Sequence, residues 1–197
     1  MKPLYISYHT PDVLYTACAM KLRDTLNWYN QEYIITCLPA LGDWYANIYR
    51  KTVFIQEMSE AHPDRDIVWL DADSALAAYP IKLEEIRADI SCVLWGGKQV
   101  MASTVYFAAN DRVKSFIRRW VELTGKEMYQ FSPDQYSLSM TLREMPQVKF
   151  ERLPDSYAYC INESPKVEPV IIAGLISRYG GHDLYPRDGT NPNAYQR

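Results

Sequence analysis

Short apolar runs alternate with helix-length amphipathic stretches along this chain, and that alternation restricts the fold more than any other feature of the sequence. Leu4 to Ser7 suits a first strand, and a helical pattern follows from Asp12 to Tyr29, with Leu14, Ala17, Cys18, Leu22, Leu26 and Tyr29 at helical spacing. Pro11 and Asp12 supply its start signal. Tyr33 to Leu38 is β-rich, and Trp44 to Glu60 reads as a second helix. Further strands are expected at Asp66 to Leu70, Ile90 to Trp95, Thr104 to Ala108, Val148 to Leu153 and Val170 to Ala173. Helices are expected from Asp111 to Thr124 and after Pro133. Strands interleaved with helices imply an α/β domain, a mostly parallel central sheet with helices on both faces. No linker divides the chain, so residues 1–179 read as one domain and 180–197, rich in Gly, Pro, Asn and Asp, as a tail.

Composition narrows the partners. With 197 residues the chain is long enough to bury a core without disulfides or structural metal. The net charge of −3 argues against a large basic surface for nucleic acid, although Lys98, Arg112, Lys114, Arg118 and Arg119 could form a local basic edge. Cys18, Cys37, Cys92 and Cys160 show no metal spacing and read as buried thiols in a reducing compartment. No segment approaches the ~20 apolar residues of a bilayer span, and the N-terminus has no signal-like apolar stretch, so a cytoplasmic location is expected.

The chemistry concentrates in Ile67-Val68-Trp69-Leu70-Asp71-Ala72-Asp73. In open α/β sheets ligands bind outside the carboxyl ends of the strands. Two carboxylates there, one residue apart, match a hard divalent cation that bridges them to substrate phosphates. The plain alternative is that Asp71 and Asp73 only cap a turn. A phosphatase with Asp71 as nucleophile uses the same DxD phrase, but this chain has Ser74 where such enzymes carry Thr or Val, and no later acidic pair.

The DxD and its surroundings resemble the GT-A glycosyltransferases, the small bacterial and phage nucleotide-diphospho-sugar transferases in particular. The resemblance rests on Gly42-Asp43-Trp44, Asn47, Lys51, Phe54-Ile55-Gln56-Glu57 and Val68 to Asp73. Looser matches follow at Ser103 to Ala108, Pro133-Asp134-Gln135, Leu153-Pro154-Asp155 and Ser177-Arg178. It implies a Rossmann-like GT-A fold and sugar transfer from a nucleoside-diphosphate sugar, with Mn2+ or Mg2+ as cofactor. Carried over, it makes Asp71 and Asp73 metal ligands, with Asp73 also near the donor ribose. His182 is the late candidate for a third ligand, in a chain whose only other histidines are His9 and His62. Ser7, Tyr8, His9 and Thr10 would contact base and ribose. Trp44 and Asn47 would shape that pocket, and Lys51 and Arg178 would face the diphosphate.

Asp134 and Gln135 would be the catalytic or acceptor-contacting pair. Lys51 also reads as a solvated side chain, Trp44 as core, and Ser132-Pro133-Asp134 as an ordinary helix start. The resemblance points to retention of anomeric configuration; an inverting enzyme would use Asp134 as base. Acceptors to consider are a glycan, a small molecule or a modified DNA base, with Trp95-Gly96-Gly97-Lys98 and the tail as acceptor-facing segments. A non-catalytic nucleotide- or sugar-binding module remains a further alternative.

Overall fold

A computed structural model describes residues 2–95, 97–126, 133–160 and 167–175, without the side chains of Trp44 and Gln99. Six strands form the central sheet: β1 (Leu4–His9), β2 (Tyr33–Cys37), β3 (Ile67–Leu70), β5 (Ile90–Trp95), β6 (Gln99–Phe107) and β7 (Phe150–Leu153). A short β4 (Ala75–Leu76) pairs antiparallel with β8 (Ile171–Ile172) in a separate two-stranded sheet. The order in the large sheet is β2-β1-β3-β6-β5-β7. Five strands run parallel, and β6 alone runs against them, between β3 and β5. It can do so because it follows β5 through a tight hairpin turn, where Gly97 takes φ +72°.

The helices among the described residues are α1 (Val13–Trp28), α2 (Trp44–Ala61), α3 (Ile81–Glu85), α4 (Asp111–Lys126) and α5 (Pro133–Glu144). Their starts are chemically marked. The Asp12 carboxylate accepts from the Tyr15 amide at 2.9 Å, Asp43 from the Ala46 amide at 2.7 Å, and Asn110 from the Val113 amide at 3.0 Å.

Strand alternation sorts the core into two layers. Leu4, Ile6, Ile67, Trp69, Val105 and Phe107 face one side, against Phe54 and Ile55 of α2, Phe116 and Trp120 of α4, and Leu138 of α5. Tyr5, Val68, Leu70 and Tyr106 face the other, against Leu22 and Leu26 of α1, Leu83 of α3, and Tyr157. Each fully buried side chain of this size contributes about 1.5–3 kcal/mol. Burial on both faces therefore holds the helices more firmly than their intrinsic propensity does.

Most sequence-based boundaries hold within a few residues. β6 is longer than the expected Thr104 to Ala108, because its first half extends along β5 rather than β3. β4, α3 and a 3-10 turn at Asp155–Ala158 went unforeseen. The cysteines are free, but the uniformly buried reading is corrected: Cys92 and Cys160 are buried, Cys18 is half-buried and Cys37 is exposed. Cys37 is the exposed last residue of the edge strand β2.

One polar clamp sits within the core margin. Asp89 is 4 % exposed and accepts from Arg112 (2.9 and 3.1 Å), from Asn110 (3.0 Å) and from the Lys149 amide (2.8 Å). Burial opposes its charge, yet these donors hold its carboxyl below the usual range. A depressed pKa stabilises the fold above the unfolded carboxylate's pKa and loses that stability as pH falls through the folded value. Asp89→Ala is expected to cost about 1–3 kcal/mol at neutral pH, from the amide and side-chain donors left unpaired. The difference from wild type should shrink as pH is lowered below 4, and a urea series at several pH values measures both. Equal stability at neutral pH would refute the clamp.

Candidate active site

The strand order places the carboxyl ends of β1 and β3 side by side, with α2 and α5 over one face. Trp69 and Asp71 are two residues apart, so alternation turns both toward α2. The Asp71 amide donates to the Ser103 carbonyl at 3.0 Å, carrying the ladder to β6 one residue beyond β3. The Ser74 amide then closes the turn on the Asp71 carbonyl at 3.0 Å. The acidic pair is thus held in a tight turn at the strand's carboxyl end. Asp73 is buried at 5 % exposure, and its carbonyl accepts the Leu175 amide at 2.9 Å. The β4–β8 pairing brings that late segment back to this turn.

Lys51 is the centre of the arrangement. Its ammonium lies 2.8 Å from Asp71 Oδ1 and 2.8 Å from Asp134 Oδ2. The Lys51 side chain is 7 % exposed, that of Asp134 10 %, and that of Asp71 34 %. The reading of Lys51 as a solvated helix side chain is therefore corrected: two carboxylates, each from a different element, draw it inward. Burial opposes its charge, but Asp134 and Asp71 outweigh burial and hold the ammonium above its usual range. For Asp71, burial raises the carboxyl, and Asp73 and Asp134 add to the rise while Lys51 opposes it. Two carboxylates, Asp71 and Asp134, thus share one ammonium.

Trp69 completes this layer. Its indole Nε1–H donates to Asp71 Oδ1 at 2.8 Å, and its ring face lies 5.3 Å from Lys51 Nζ. The ring packs against Tyr8 (5.9 Å) and Phe54 (6.2 Å). Asp134 is fixed from behind, because the buried Trp120 Nε1–H donates to its carbonyl at 3.0 Å and to Ser137 Oγ at 3.0 Å.

The remaining expected site residues divide. Tyr8 is buried, its hydroxyl donates to the Asn47 carbonyl, and burial holds its phenol protonated. Asn47 braces the loop before α2, accepting from the Leu41 amide at 3.1 Å and donating to the Asp43 carbonyl at 2.7 Å. Ser7 is buried at 1 % exposure, on the opposite sheet face from Tyr8. His9 and Thr10 are half-buried at the rim, where Thr10 Oγ1 donates to Asp12 at 2.6 Å. Gln135 is half-buried beside Asp134. The Trp44 side chain, Arg178 and His182 lie outside the described residues. Sequence reading missed Trp69 as a polar partner; a tryptophan two positions before a strand-end aspartate was the signal.

The basic edge considered for DNA is largely neutralised. Arg112 pairs with Asp89, Lys114 with Asp111 at 3.6 Å, Arg118 with Glu60 at 3.7 Å, and Arg119 with Glu122 and Glu144. Lys98 and Trp95 are exposed in the β5–β6 hairpin. No described helix is long and apolar enough to cross a membrane.

No protein-family model and no curated protein matches the chain. Solved structures do. A glycosyltransferase involved in glycosylation of the major capsid of PBCV-1 superposes with a TM-score of 0.67 at 14 % identity, over 88 % of this chain and 92 % of that one. The glycosyltransferase GlyE of Streptococcus pneumoniae TIGR4 gives 0.58 at 15 % identity, over 80 % of this chain and 46 % of GlyE. The bifunctional glycosyltransferase WbbM gives 0.55 at 10 % identity, over 87 % and 45 %. The chain therefore has a Rossmann-like glycosyltransferase fold.

Removing Lys51 should strand two carboxylates in the recess. Lys51→Met is expected to lower stability by about 3–5 kcal/mol, as for a buried ion pair deprived of one partner. Adding Asp134→Asn should recover part of that loss. Denaturant unfolding of the single and double variants reads the coupling, and strictly additive losses would count against the bridge.

Proposed function

We propose that this chain transfers a sugar from a nucleoside-diphosphate donor to an acceptor hydroxyl, with a divalent cation held by Asp71 and Asp73. The carrying observation is the Asp71–Lys51–Asp134 bridge at the carboxyl edge of the sheet, in a chain with a glycosyltransferase fold. The donor set suits a cation completed by substrate rather than caged by protein. Among the described residues no three acidic, His or Cys groups gather as a metal cage. Mg2+ and Mn2+ commonly use one or two carboxylates plus phosphate oxygens and water. Both bonds to Asp71 fall on Oδ1, so among the described residues Oδ2 is the oxygen left for an incoming ligand. When bound, the cation would neutralise charge on the departing diphosphate.

The other roles follow from position. His9 and Thr10, half-buried at the end of β1 or just beyond it, would meet the nucleoside, with buried Ser7 supporting them from within the strand and Tyr8, Asn47 and Trp44 shaping the wall. Arg178 would meet the diphosphate through its planar fork, and His182 would be the candidate third ligand. Asp134 and Gln135 would face the donor sugar and acceptor.

Retention is the favoured stereochemistry. A base for inversion must offer a free lone pair to the acceptor proton, whereas Asp134 Oδ2 is engaged by Lys51 and nearly buried. In the retaining course the acceptor oxygen bonds to the anomeric carbon on the leaving-group side. The bond from that carbon to the phosphate oxygen breaks, and its electron pair goes to the diphosphate. The acceptor proton passes to the same diphosphate. A glycan or small-molecule hydroxyl suits the surface better than a DNA base, given the paired cations.

Calorimetry with UDP-, GDP-, ADP-, CMP- and TDP-sugars, with and without Mn2+, tests the donor site. One donor should bind in a metal-dependent manner. Asp71→Ala and Asp73→Ala should each weaken that binding at least about 100-fold, because even outer partners of metal ligands are worth 10–100-fold. No binding to any donor by the folded wild type would sink this reading and favour a phosphatase or a non-catalytic module.

A further inference from the structure

We infer that Trp69 is a positioning residue for the cation site: its indole N–H sets the orientation of the Asp71 carboxylate and its ring face sets that of Lys51. This rests on the donor-site reading above. Trp69 is 2 % exposed in the middle of the sheet, where any large apolar side chain would fill the space. Only tryptophan among such residues brings a ring N–H, and here that N–H is spent on Asp71 Oδ1 at 2.8 Å. Oδ1 also accepts from Lys51 at 2.8 Å. Two donors on one oxygen fix the carboxylate's rotation and leave Oδ2 as its ligand oxygen.

The same ring lies 5.3 Å from Lys51 Nζ, so a single side chain contacts both charges. The ring is itself immobilised. Tyr8 and Phe54 pack on it at 52° and 70°, and the Tyr8 hydroxyl is tied to the Asn47 carbonyl of α2. A carboxylate ligand is commonly hydrogen-bonded by an outer partner that orients it, and Trp69 supplies that bond from within the strand that carries the ligand. A phenylalanine would keep an aromatic ring at this position, leave part of the indole's space empty and lose the donor. Asp71 would then turn about Lys51 alone, and both oxygens would exchange between ammonium and cation.

The probe is Mn2+ alone, titrated into the full chain, followed by the selected donor with and without Mn2+. Trp69→Phe is expected to weaken Mn2+ binding about 10–100-fold, while metal-free nucleotide binding stays within about twofold. A benzothienylalanine at position 69 replaces the N–H by sulfur in the same ring shape, and it should show the same loss even where Trp69→Phe unfolds. In a 15N-labelled wild-type chain, the Trp69 indole resonance, assigned by its absence from the variant, should move during a Mg2+ titration. A benzothienylalanine variant that binds Mn2+ as wild type does, or a stationary Trp69 indole signal at saturating Mg2+, overturns the inference and leaves the donor site standing. A wild type that binds neither Mn2+ nor any donor overturns both.

Discussion

One buried ammonium joins three elements that are far apart along the chain. Lys51 from α2 meets Asp71 at the end of β3 and Asp134 at the start of α5. Burying these charges singly would be prohibitive. Together they are tolerable, and the geometry that makes them so also shapes the recess. α2 and α5 must approach the sheet closely enough for 2.8 Å contacts, which the shared core of Phe54, Ile55, Trp120 and Leu138 provides. The apolar layer and the charged cluster are one construction: the first sets the spacing, and the second defines the open end.

That open end is electrostatically asymmetric. Asp71 and Asp134 share the Lys51 ammonium, and burial foremost, with Asp73 and Asp134 adding to it, raises the Asp71 pKa against the opposing effect of Lys51. In the proposed reading, two carboxylates on one ammonium, with Asp71 half-buried at the rim, suit a cation better than a free phosphate. Among the described residues, the arginines of α4 are answered by nearby acids.

Much of the fold was legible because it is periodic. The apolar run of β3 between polar residues, the 3.6-residue spacing of α1 and the start signal at Asp12 each report local physics that a window of sequence contains. The acidic pair was legible for the same reason. β4 and α3 were not, since two- and five-residue elements carry no period, and β4 exists because Leu76 meets Ile171 of the expected late strand across the fold. The extension of β6 back to Gln99 depends on β5 as its partner, not on its own residues.

The sequence by itself determined the α/β class and the strand-end position of Asp71 and Asp73. These depend on composition and on short-range pattern. Only the tertiary structure decided that Lys51 is buried rather than solvated, that Asp134 shares its charge with Asp71, and that Trp69 serves as a donor. Lys51 and Asp134 are separated by 83 positions, and no local pattern encodes which lysine will find which aspartate. The packing of α2 and α5 on one face of the sheet makes that choice, because it brings the two side chains within bonding distance where water cannot replace either.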